Sequence, residues 1–129
     1  IVWNRIQFAV LREAMHLLEE DVASLEDINK AVRDGYARRT AAIGPFETVD
    51  LSGLDLFRNI AAELYPDLSD TDTPSQVFDD FLEDGRTGVE SGAGFFEYEE
   101  TLEERTKYRD AQLAEIAKAI ADSRGAEPN

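Results

Sequence analysis

Cysteine is absent from this 129-residue chain, which excludes a disulfide framework and any thiolate-bound metal. Histidine occurs once, as His16, so there is no histidine pair or His–carboxylate pair at metal-ligand spacing, and no metal is expected. Lysine is scarce: the thirteen basic residues are Arg apart from Lys30, Lys107 and Lys118, and they face 28 Asp and Glu. The resulting net charge of −15 repels phosphate backbones and argues against a nucleic-acid partner. No apolar run approaches the ~20 residues that span a bilayer, so no membrane partner is expected. The opening Ile1-Val2-Trp3-Asn4-Arg5 has neither an initiator Met nor the basic-then-apolar plan of a signal peptide. So abrupt a start suggests a piece of a longer protein. The lack of cysteine is compatible with a cytoplasmic location, which is the one expected here.

What is present suffices for a fold. Hydrophobic residues make up 43% of the chain, and a domain of this length buries roughly two-thirds of its unfolded surface. Abundant Asp and Glu with little Lys resembles the surface of proteins from salt-loving organisms, where concentrated salt screens the self-repulsion of a compact acidic chain.

Periodicity points to helices throughout. Residues 2–20 hold no Gly or Pro, and at 100° per residue Ile6, Leu17, Val10, Trp3, Ala14, Leu18, Leu11, Met15 and Phe8 fill an arc of about 200°. So broad an arc predicts a central helix covered from more than one side. Ser24 with Asp27 has the form of an N-cap with an acid in the first turn, for a helix over 25–34 that Gly35 would end. Residues 38–44 read as a connector. Pro45 suits the first turn of the next helix, to about Ser52; Gly53 breaks it. A further helix runs from Leu54 to Tyr65, where Pro66 stops it. An acidic loop over 67–73 precedes a short helix with Val77, Phe78, Phe81 and Leu82 on its buried side, ending at Gly85. A glycine-dense aromatic segment follows near 88–98. The last helix, about 101–122, carries a narrow stripe of Leu102, Leu113, Ile116 and Ile120 and is expected to pack peripherally, with a frayed tail from Gly125 to Asn129. The expected fold is all-α, a multi-helix orthogonal bundle around the long N-terminal helix, without an internal repeat or domain boundary.

Few residues carry chemistry. Asn4 projects inside the apolar arc near Leu11 and Met15, where an unpaired amide costs roughly 1–3 kcal/mol. Two readings of it stand at this point: a brace for the start of the helix, or an amide presented to a polar ligand group in a cleft. Gln7 shares the ambiguity with a weaker claim. His16 lies on the polar arc, facing solvent. Asp79-Asp80 and Glu97-Glu99-Glu100 read as solvated surface. Gly88, Gly92 and Gly94 lack the strand and helix of a phosphate-cradling loop and no Lys-Ser/Thr pair accompanies them, so they are expected to supply positive φ for a tight reversal. Ser91 has no His to activate it. The chain holds no self-sufficient catalytic machinery.

Four stretches in order resemble the C-terminal domain of the L-3-hydroxyacyl-CoA dehydrogenase family: Val2-Trp3-Asn4-Arg5-Ile6 continuing to Glu13-Ala14, Ala23 to Ile28 leading into Ala31, Gly44 to Asp55, and Gly88 to Phe96. Together they cover about residues 2–98. The resemblance implies that residues 1–129 are a helical substrate-binding and dimerisation domain, a homodimer in the whole enzyme, that closes over an acyl-CoA substrate, with 101–122 as a peripheral helix. NAD and the catalytic His–Glu pair would belong to an absent Rossmann domain, so the fragment is expected to be inactive alone. It further implies that Asn4, matching the family's Asn-Arg motif, is both catalytic and substrate-binding, near the 3-oxygen of the substrate. Glu90 stands where the family usually has Lys, and Phe96 where it usually has Tyr. The longer final helix resembles the short-chain hydroxyacyl-CoA and hydroxyacid branches. A gulonate- or carnitine-type hydroxyacid dehydrogenase and a stand-alone helical interaction module are the alternatives.

Overall fold

The computed structural model describes residues 1–125 and is all-α among them, as expected. It divides into two compact units, Ile1–Val77 and the chain from Phe78 onward. The C-terminal tail beyond Gly125 lies outside the described residues.

In the first unit, α1 (Val2–Glu19) realises the unbroken helical pattern. It ends in a six-to-one closure, with the Val22 N–H donating to Leu17 O and the Asp21 N–H to Leu18 O, both about 3 Å. That closure needs a left-handed residue, and Asp21 supplies it at φ 55°, without glycine. Ser24 caps α2 (Leu25–Ala31) by accepting from the Asp27 N–H at 3.1 Å. Gly35 then fails to stop the helix. A wide turn over Val32–Tyr36, closed by the Ala37 N–H on Val32 O, carries the chain into α3 (Ala37–Ala42). The expected connector over 38–44 is thus largely helical. Glycine in a helix costs only about 1 kcal/mol, and Ala37, Ala41 and Ala42 favour continuation. Asp34 adds an ion pair to Arg33 at 2.9 Å and another to Arg38, one turn on, at 3.4 Å. α4 (Pro45–Ser52) and α5 (Leu54–Leu64) flank Gly53 at φ 107° as anticipated, and Pro66 sits in a tight turn over Tyr65–Asp67.

α1 is not covered from more than one side. Met15, at 7% exposure, is the only buried hydrophobic residue among those described, while Trp3 is 76% and Phe8 59% exposed. The apolar arc is present as the periodicity implies, but most of it stays exposed or half-buried among the described residues. Two polar residues of α1 instead hold the acidic loop. The Glu13 carboxylate accepts from the Ser69 N–H at 2.9 Å, and Arg12 donates to Thr71 O at 3.4 Å.

α6 (Gln76–Glu83) leads into the second unit, with Phe78 and Phe81 half-buried but Leu82 exposed. The glycine-rich reversal follows, and then α7 (Leu102–Arg124), capped by Thr101 accepting from the Glu104 N–H.

Candidate functional site

Asn4 occupies the first turn of α1, three residues after the N-cap Ile1. It is exposed, with Trp3 before it and Ile6 after it exposed as well. Its side chain makes no hydrogen bond among the described residues, and Ile1 caps the helix without a side-chain bond. The arrangement therefore departs from the expected buried amide: a solvent-facing carboxamide, carrying two donors and one acceptor, stands on an uncovered apolar helix face. Gln7 is exposed one turn further on. His16 is half-buried in the last turns of α1, in contrast to the solvent-facing position expected for it. The carboxylates Asp79, Asp80, Glu97, Glu99 and Glu100 are exposed. No group of three or more His, Cys, Asp or Glu that would hold a metal occurs among the described residues.

The second unit builds its reversal from residues 86–98. The Gly88 N–H donates to Ala93 O, the Gly94 N–H to Phe96 O and the Tyr98 N–H to Gly92 O, each at 2.9 Å. Gly88 (φ 141°) and Gly92 (φ 87°) supply the positive φ angles. Gly94 does not. It is glycine for a different reason, since a Cβ there would lie 3.1 Å from the Gly88 Cα. Ser91 Oγ donates between Gly88 O and Ala93 O, at 3.0 and 2.9 Å, and accepts from the Thr87 N–H at 3.1 Å. Its hydroxyl is thus committed to the turn, which accounts for a serine at this place without nucleophilic chemistry.

The reversal packs on α6 through Phe95, whose ring lies 5.8 Å from Phe78 and 5.1 Å from Phe81 at tilted angles. Arg86, which periodicity does not single out, locks the two together. Its Nε donates to Gly94 O at 2.8 Å, its guanidinium lies 5.4 Å above the Phe81 ring, and its Nη1 is 3.7 Å from Glu97. A cavity of about 350 Å³ remains between α6 and the reversal, lined mainly by Phe78, Phe81, Phe95, Phe96 and Tyr98. Its one charged lining residue is Arg86, whose Nε is held by Gly94 O. Glu90, in the place of the family's usual Lys, is exposed, and Phe96 is half-buried. Both leave the turn's hydrogen bonds intact, because those bonds use backbone atoms and Ser91.

Residues 1–98 match the family model described as 3-hydroxyacyl-CoA dehydrogenase, C-terminal domain. The chain is similar to the 5-formyl-3-hydroxy-2-methylpyridine 4-carboxylate 5-dehydrogenase of Mesorhizobium japonicum, 34% identical over 119 residues, covering 92% of this chain and 38% of that protein. It is also similar to a probable 3-hydroxyacyl-CoA dehydrogenase of Caenorhabditis elegans, 33% identical over 97 residues, covering 74% of this chain and 30% of that one. Among solved structures, that of a 5-formyl-3-hydroxy-2-methylpyridine 4-carboxylic acid 5-dehydrogenase, described as an NAD+-dependent dismutase, superposes with a TM-score of 0.76 at 32% identity. The superposition covers 95% of this chain and 38% of that structure. The chain thus spans less than two-fifths of the length of these relatives.

Proposed function

This chain belongs to the 3-hydroxyacyl-CoA dehydrogenase family as its C-terminal domain, and from that premise we propose that it closes the substrate site of an NAD-dependent L-3-hydroxyacyl-CoA dehydrogenase, acting as a homodimer in the cytoplasm. The observation that carries the reading is Asn4: an unpartnered amide on an uncovered apolar face, at the start of the stretch that matches the family. Side chains such as Val2, Trp3, Ile6 and Phe8 stay exposed only at a cost of about 25 cal/mol per Å² of apolar surface, which favours a further domain or subunit against them. In the complete enzyme Asn4 Nδ2 donates to the 3-oxygen of the bound substrate and holds it in line for reaction, a positioning and electrostatic role. NAD, held by a Rossmann domain that also carries the proton-accepting His–Glu pair, supplies hydride acceptance. None of the residues here is asked to hold it.

A second reading keeps the scaffold and changes the substrate to a small hydroxy or formyl acid. It is favoured by the Mesorhizobium relative, whose match extends through 92% of this chain and so well into α7, beyond the 1–98 of the family model. Steady-state assays of the complete enzyme on 3-hydroxybutyryl-CoA, on free aliphatic hydroxyacids and on aromatic formyl acids decide between the two. In that enzyme Asn4→Ala is expected to lower kcat on the order of 100-fold, as removal of one positioned donor does, with an unchanged melting temperature. Normal turnover with lost stability would return Asn4 to a bracing role. The 129-residue chain by itself is expected to oxidise no thioester.

A further inference from the structure

The loop between α5 and α6 is acidic, and one of the two residues that hold it is an acid as well. Residues 67–73 run Asp-Leu-Ser-Asp-Thr-Asp-Thr, with three aspartates and no base. Residues 66–74 are exposed except Ser69, which is half-buried where its N–H donates to the Glu13 carboxylate of α1 at 2.9 Å. Arg12, the neighbour of Glu13, donates from Nη1 to Thr71 O at 3.4 Å. The two bonds join residues 56 and 59 positions apart, and both lie inside the first unit. Just past them begins α6, which carries the chain into the second unit.

The loop has a defined shape of its own. Ser69 Oγ accepts from the Thr71 N–H at 3.5 Å, and Thr71 Oγ1 accepts from the Thr73 N–H at 3.5 Å while donating to Thr73 O at 3.3 Å. Ser75 Oγ accepts from the Val77 N–H at 3.1 Å. Hydroxyls thus occupy positions 69, 71, 73 and 75 and brace the backbone. Asp70 and Asp72 fall between them, on the other side of an extended chain. Both are exposed, with no hydrogen-bond or ion-pair partner among the described residues.

Holding this loop against α1 opposes like charges. Asp67 and Asp70 lie within two residues of Ser69, and Asp72 follows Thr71, so three carboxylates are drawn toward Glu13 with the Arg12 guanidinium to offset one of them. One or two residues correspond to about 4–8 Å of backbone. That is inside the Debye length of about 30 Å at 0.01 M salt and outside the about 3 Å of 1 M salt. A hydrogen bond of 2.9 Å is shorter than either, so salt removes the repulsion and leaves the bond in place. We propose that residues 67–75 are a strap gated by ionic strength. Glu13 and Arg12 hold it on α1 when salt screens the aspartates, and at low salt it lifts, loosening the chain that leads into α6. The device rests on neither the substrate nor the homodimer reading above.

Amide exchange followed by NMR on the 129-residue chain, between about 0.01 and about 1 M NaCl, reads the strap directly. The Ile28 N–H, bonded to Ser24 O at the start of α2, is the reference that divides out any global change in stability. Protection of the Ser69 N–H relative to Ile28 is expected to rise at least about tenfold with salt. Asp70→Asn/Asp72→Asn removes two exposed charges without touching a bond, and is expected to give the high-salt protection already at low salt. Glu13→Ala should abolish the protection at every salt concentration. Glu13→Gln keeps an acceptor for Ser69 without the charge and should flatten the salt response. A wild-type ratio that stays flat or falls with salt overturns the strap. So does a salt response in Asp70→Asn/Asp72→Asn equal to that of the wild type, or Ser69 protection that survives Glu13→Ala.

Discussion

Two glycine-to-alanine substitutions should move stability in opposite directions, although composition does not distinguish them. At Gly94 an added Cβ would sit 3.1 Å from the Gly88 Cα and 3.5 Å from its nitrogen. Carbon pairs are most favourable near 3.5–4.0 Å, so the contact is repulsive, and both atoms are backbone. Gly88 has little room to retreat, since its N–H bonds Ala93 O while Gly94 O is held by Arg86 Nε. Overpacking of this kind costs about 1–3 kcal/mol, and opening the reversal to relieve it forfeits hydrogen bonds of about 1 kcal/mol each. At Gly35 an added Cβ would meet nothing within 4 Å, and φ is not positive. There alanine removes unfolded-state entropy and gains about 0.5–1 kcal/mol. Urea titration followed by circular dichroism should show the midpoint falling for Gly94→Ala and rising for Gly35→Ala, with tryptophan-independent near-ultraviolet signal from Phe95 and Tyr98 reduced only in the former. An unchanged midpoint for Gly94→Ala would refute the close approach of the two backbones. A falling midpoint for Gly35→Ala would mean that the wide turn at Val32–Tyr36 depends on glycine.

Asp21→Gly relieves the one left-handed non-glycine residue among those described and is expected to stabilise the chain by about 1 kcal/mol, read as a higher melting temperature; a lower one would show that the Asp21 side chain contributes more than its strain. The side-chain hydrogen bond from Arg33, helped by the charges of Arg33, Arg38 and Lys30, holds the Asp34 carboxyl below its ordinary value. A lowered folded-state pKa gives stability that is present above the unfolded carboxylate pKa and lost as pH falls through the folded one. Asp34→Asn should therefore flatten the acid limb of the stability–pH curve below about pH 4 and leave a small change at neutral pH, where solvent screening keeps exposed pairs weak. An unaltered acid limb would remove Asp34 from the acid response. The acidic, lysine-poor composition predicts that unfolding stability rises from low to molar salt, and a flat dependence would rule out charge self-repulsion as a significant strain.

Local chemistry alone determined much of this protein. The unbroken run over 2–19, the Ser24 cap, Pro45 at a helix start, Gly53 between two helices and the long last helix follow from capping, propensity and the positions of Gly and Pro, all interactions within a few residues. The Asn-Arg opening and the glycine-rich close pointed to the family for the same reason, since each motif is contiguous. Tertiary structure decided what depends on partners distant in sequence. Gly35 reads as a stop until the wide turn and the Asp34 pairs carry the helix through it. Gly94 resembles its neighbours until Gly88 is placed 3.1 Å from it. Nothing local to Glu13 indicates that Ser69, 56 residues away, donates to it. The arc of α1 announced burial, yet among the described residues Met15 alone is buried, because periodicity fixes which side chains share a face and not what packs against that face.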